Sequence, residues 1–138
     1  MIRTVIDTNV FVSSFFGGKP RRVIDLWKNG QLLLCLSADI VDEYVAVLQR
    51  LGLDPQKEID TLLQFFAKGY HIVFTTQTPA LNIVAEDPDD NKFLECAVAL
   101  GAGFIVSGDK TLLAVKNYMH IKIRSPHDFL MTVDRGGV

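Results

Sequence analysis

The stretch EDPDDNKFLECAVALGAGFIVSGDK, residues 86–110, carries a helix pattern, a stop, a strand and an acid in succession. Apolar residues at three- and four-residue spacing predict a helix over 88–100, with Asp87 as its cap and Pro88 as its first residue. Gly101 ends that helix, 104–107 (FIVS) reads as a buried strand, and Asp109 follows where another helix begins. GAGF at 101–104 is no dinucleotide fingerprint, because it precedes a strand and lacks the third glycine.

The same alternation runs outward in both directions. Strands are predicted at 2–6, 32–36, 71–74 and 120–124, and helices at 20–29, 38–51, 56–68 and 110–116. Pro20 and Pro55 stand where first-turn prolines belong, and Gly30, Gly52 and Gly69 follow the helix ends. Strands alternating with helices imply right-handed crossovers and a parallel sheet covered on both faces, which is why the strands are almost continuously apolar.

With 138 residues, 49% hydrophobic and 22% charged, the chain reads as one globular domain over 1–132 with a flexible tail at 133–138. The net charge of −2 argues against a protein that coats nucleic acid indiscriminately but leaves room for a local basic patch. Cys35 and Cys96 lie in apolar runs, give no metal spacing, and are expected as reduced core residues. No apolar run approaches the roughly 20 residues of a membrane span. Asp7 and Asn9 interrupt any leader pattern, so the expected location is cytoplasmic, with no membrane partner.

In open parallel sheets, ligands bind beyond the carboxyl ends of the strands where strand order reverses. Asp7 follows the first strand in RTVIDTN, residues 3–9, and Asp109 follows the fourth. Alone, each reads equally well as a turn former or helix cap. Glu43, in SADIVDEYVAVLQRL (37–51), falls about 60° from Ile40 at the margin of the buried helix stripe, whereas Asp42 faces water. Asp89 and Asp90 complement the positive end of a helix dipole, but Asp90 also aligns with Phe93, Leu94 and Ala97 on the buried face, where an acid needs a partner. Carboxylates brought to one sheet edge repel unless protonated or neutralised. Oxygen-only ligation suits Mg2+ or Mn2+, while His71, His120 and His127 offer no zinc spacing. A hard cation held by acids points to metal-assisted phosphoryl chemistry.

Together, VIDTNVFVS, LSADIVDEY, the 86–110 stretch and the late RSPHDFL resemble the PIN domain family, specifically its VapC-like toxin ribonucleases, over residues 2 to about 130. The resemblance implies a three-layer α/β/α sandwich with a five-stranded parallel sheet, and a Mg2+- or Mn2+-dependent endoribonuclease. It also implies a homodimer and a cognate antitoxin. By motif, Asp7, Glu43, Asp90 and Asp109 match the catalytic, metal-binding tetrad, with Asn9 and Ser107 as supporting residues. Hydrolysis in line, leaving a 5′-phosphate and a 3′-hydroxyl, is the implied outcome. Thr111 stands where related chains often carry a further acid, which weakens the case for a second metal ion.

Lys19, Arg21 and Arg22 in GGKPRR (17–22), with Lys92 and Lys110 beside the acidic motifs, form the candidate surface for single-stranded or structured RNA. The same cations singly read as solvated helix starts. A phosphoacceptor receiver would need an acid after the third strand, and HIVFTTQTP supplies none. A non-catalytic PIN-like module that grips RNA or protein is the alternative to the nuclease.

Overall fold

A computed structural model of the chain describes residues 1–52, 64 and 66–136. Among the described residues, six strands form one sheet in the order β3-β2-β1-β4-β6-β5. These are β1 (Ile2–Ile6), β2 (Leu32–Ser37), β3 (Ile72–Thr75), β4 (Phe104–Val106), β5 (Asn117–Tyr118) and β6 (Ile121–Arg124). The five expected parallel strands are present. A two-residue antiparallel strand, β5, adds a sixth at the edge; it pairs with β6 through Asn117↔Lys122 and Tyr118↔Ile121.

The chain runs from β1 outward to β2 and β3, then returns to the other side of β1 to lay down β4 and β6. Strand order therefore reverses between β1 and β4, which pair in the register Val5↔Ile105 and Ile6↔Val106. The Asp7 amide continues the ladder, donating to the Val106 carbonyl at 3.0 Å. Residues 7 and 107–109 thus leave the sheet side by side.

Helices α1 (Thr8–Ser13), α2 (Gly18–Lys28), α3 (Ala38–Arg50), α4 (Asn91–Leu100), α5 (Lys110–Leu113) and α6 (Pro126–Asp134) flank the sheet. The pattern does not announce α1, because TNVFVS is rich in branched residues and reads as more strand. Asp7 decides otherwise by capping it, its Oδ1 accepting from the Val10 amide at 2.8 Å. Beyond β6, α6 starts on a Ser125 cap and Pro126, a signal that local periodicity alone leaves unread.

Several bounds differ from the sequence reading for identifiable reasons. Residues 88–90 form a single 3₁₀ turn ahead of α4 rather than its first turn. His71 takes φ +54, outside any strand conformation, so β3 begins one residue later. Helix 110–116 is shortened to α5, and Lys116, at φ +65, turns the chain into β5. The helix expected over 56–68 and its Pro55 start lie largely outside the described residues; within that span 64 and 66–68 are described, and all are helical.

Trp27, Tyr44, Phe11 and Phe129 are the largest fully buried side chains. Phe11 of α1 stacks on Tyr44 of α3 with ring centroids 4.0 Å apart, and Phe104 meets Phe129 edge-on at 5.3 Å. The Tyr44 hydroxyl donates to the Ile6 carbonyl. That bond pins α3 to the end of β1, one residue before Asp7, and so places Glu43 beside it. Cys35 and Cys96 are free and buried. Among the described residues no helix is long and apolar enough to cross a membrane.

Candidate metal centre

Asp7 is 3% exposed and fully engaged: Oδ1 caps α1 and Oδ2 accepts from the Ser107 hydroxyl. Burial raises its pKa, hydrogen bonds from Ser107, Val10 and Gly108 oppose that, and the charge of Asp109 adds to it; the net shift is upward. Ser107 is itself wholly buried, its amide donating to the Arg124 carbonyl at 2.9 Å and its Oγ accepting from the Asp109 amide at 3.0 Å. One hydroxyl therefore bridges the acids that end β1 and β4. Asp109 caps α5 through Thr111 at 2.8 Å. Burial works to raise its pKa, but hydrogen bonds from Thr111, Asp90 and the Leu112 amide outweigh it and hold Asp109 below the usual carboxylate range.

The acids that come closest are Asp87, Asp90 and Asp109, each offering a carboxylate oxygen within 4.8 Å of the others. Asp87 occupies the cap position of the 3₁₀ turn, yet its side chain makes no cap hydrogen bond. Its place in the cluster is a correction to the reading of Asp87 as a cap. The signal was in EDPDD itself: Pro88 turns the backbone so that acids three residues apart face the same point. Asp90 is 8% exposed and its Oδ2 has no hydrogen-bond partner. Burial first, then the charge of Asp109 and a hydrogen bond shared with it, then the charges of Asp87 and Asp7, push its pKa up to about 7.

Asn91, buried and absent from the sequence reading of the site, holds this corner together. Its Oδ1 accepts from Ile83 and Val84 at 2.9 and 2.8 Å, and its Nδ2 donates to Val84 and Pro88 at 3.2 and 3.0 Å. Glu95, one turn on, accepts from the Leu81 amide at 2.8 Å. The loop over 81–84 is thereby sewn to α4 directly behind Asp90.

Glu43 stands apart from the three-acid cluster. Its Oε1 accepts from the Thr8 hydroxyl and its Oε2 pairs with Lys92. Thr8 is the hydroxyl that reaches Glu43; Asn9 is exposed and makes no side-chain hydrogen bond among the described residues. Of the five cations singled out, Arg21 is committed to the backbone, donating to the Ser14 and Phe15 carbonyls. Arg22 lies 3.7 Å from Asp134 in an open ion pair, and Lys92 serves Glu43. Lys19 and Lys110 are exposed and carry no ion pair among the described residues.

Three acids at a sheet switch point, one of them with an orphaned buried oxygen, form a group that could hold a hard cation on an α/β frame. Residues 3–111 match the model of the family described as PIN domain, and the chain belongs to that family. PIN domains are generally nucleases that act on nucleic acid with divalent metal ions. Among curated proteins the chain is similar to the uncharacterized protein MJ1680 of Methanocaldococcus jannaschii. The two are 30% identical over 144 residues, covering 94% of this chain and 90% of the relative.

Proposed function

We propose that this protein is a Mg2+- or Mn2+-dependent endoribonuclease and the toxin of a toxin–antitoxin pair. The observation that carries the metal reading is the unpartnered, buried Oδ2 of Asp90, an acid that offers a carboxylate oxygen within 4.8 Å of those of Asp87 and Asp109. An unpaired oxygen in such a place is costly unless a cation completes it.

Asp87, Asp90 and Asp109 would hold the ion, while the oxygens of Asp7 and Glu43 are engaged by other groups of the chain. The bound ion supplies Lewis acidity to water and to a phosphate oxygen. Asp109, whose hydrogen bonds keep it below the usual carboxylate range, would offer an ionised ligand. Asp90, whose pKa burial and neighbouring acids push up to about 7, would give up its proton on binding a cation. Ser107 fixes Asp7 against Asp109, so that neither acid must be oriented when substrate arrives. Lys110 and Lys19 would meet the RNA backbone, with Lys110 directly beside Asp109.

The reading is tested with metal-free protein on end-labelled single-stranded RNA, titrated with Mn2+ and then treated with chelator. Metal-dependent cleavage leaving 5′-phosphate ends, lost in Asp90→Asn and Asp7→Asn, is expected. Binding without cleavage at any metal concentration would favour the non-catalytic module. Growth arrest on expression, relieved by a small gene adjacent to this one, tests the toxin role, and light scattering tests the expected homodimer.

A further inference from the structure

The acids of the site divide into two unlike halves. In one, both oxygens of Glu43 are engaged, Oε1 by the Thr8 hydroxyl and Oε2 by the Lys92 ammonium. In the other, Asp87, Asp90 and Asp109 lie within 4.8 Å with no basic partner among the described residues, and Asp90 keeps a buried oxygen free. The asymmetry is built into the helices. Lys92 follows Asp90 by two residues on α4 and reaches across to α3, where Tyr44 is anchored to the end of β1.

Resting on the metal-dependent reading above, we infer that Lys92 is a built-in second cation, so the site takes a single divalent ion, at the Asp87–Asp90–Asp109 corner. The side chain of Lys92 is 17% exposed and that of Glu43 26%, unlike the open Arg22–Asp134 pair at 58% and 63%. A surface lysine keeps its ammonium in water while its stem lies on the protein. Lys92 instead holds its ammonium on Glu43, with the exposed Asp89 a looser neighbour at 3.9 Å. A second dication at Glu43 would have to displace this ammonium, or sit against it as a like charge. The Asp87 corner offers the opposite: surplus negative charge, an unsatisfied oxygen and no cation to displace. Lys92 is thus a positioning residue. It neutralises Glu43 and directs the ion to the other half of the site.

The test counts ions without reference to cleavage. Metal-free protein is titrated with Mn2+, and bound ion is measured by calorimetry and by the loss of the free-ion paramagnetic signal. Wild type is expected to bind one Mn2+ per chain, Lys92→Met to bind two, and Lys92→Arg to return the count to one. Lys92→Gln, which keeps a polar chain of similar reach, repeats the count if the methionine variant does not fold by circular dichroism. Two ions in wild type, or one ion in Lys92→Met and Lys92→Gln alike, would overturn the inference while leaving the metal site intact. No ion bound by wild type would defeat the metal-dependent reading itself, and this inference with it.

Discussion

The hydroxyl of Ser107 donates to Oδ2 of Asp7 across the junction of β1 and β4, with both side chains buried. The same oxygen of Ser107 accepts the backbone amide of Asp109 at 3.0 Å, so its removal frees the Asp7 carboxylate and the backbone at Asp109 at once. A hydrogen bond to a charged group contributes about 1.5–3 kcal/mol. Ser107→Ala is therefore expected to lower the melting temperature of metal-free protein and to weaken Mn2+ binding. Both are read in one thermal-shift titration. An unchanged melting temperature would show that Asp7 is held by the backbone amides of Val10 and Gly108 without Ser107.

Asp90 makes stability depend on pH in a definite direction. The unfolded chain gives up this proton near the ordinary value of 3.8, whereas the folded chain keeps it until about pH 7. Between those values the folded state binds more protons, so stability falls as pH rises, by roughly 2–4 kcal/mol. Asp90→Asn has no proton to lose here. Without metal it should match wild type near pH 4 and become the more stable protein by pH 8, as measured by urea denaturation at several pH values. A variant less stable than wild type at pH 8 would mean that the Asp90 carboxylate is satisfied in the fold.

Which parts of this site were legible follows from which forces set them. The alternation of strands and helices placed Asp7 and Asp109 on one sheet edge, because a parallel sheet leaves few topologies and β1 and β4 are neighbours at the reversal. Asp90 stood out because an acid among Phe93, Leu94 and Ala97 contradicts the helical pattern around it. Asp87 was hidden because a cap and a ligand use the same residue type at the same place, and only the three-dimensional turn over 88–90 shows its cap unused. Thr8 and Asn9 were indistinguishable until α1 formed and turned one inward and the other to water. The commitment of Arg21 to the Ser14 and Phe15 carbonyls depends on a single 3₁₀ turn, which no periodicity announces.

Asp87 and Asp89 give a paired test of where the ion sits. Asp87 lies in the three-acid cluster, whereas the side chain of Asp89 is 86% exposed. Saturating Mn2+ at a hundredfold excess over its Kd should stabilise wild type by about 2.7 kcal/mol. Asp87→Asn is expected to lose most of that gain and Asp89→Asn to keep it, in parallel thermal melts with and without metal. Equal loss in both would indicate diffuse attraction to the acidic loop rather than ligation.

The cations make the last separation, between groups that hold the fold and groups free to meet RNA. Arg21 donates to two backbone carbonyls, so Arg21→Ala is expected to cost stability, about 1 kcal/mol, with little change in RNA affinity beyond that. Lys110 is exposed beside Asp109 and carries no ion pair among the described residues. Lys110→Glu should leave the melting temperature within a degree or so and weaken RNA binding. The slope of log affinity against log salt should also fall by about one, the signature of a lost phosphate contact. Fluorescence anisotropy with labelled single-stranded RNA in Ca2+ across a salt series reads both quantities. A slope unchanged in Lys110→Glu but reduced in Arg21→Ala would place the RNA track at the amino end of α2 instead.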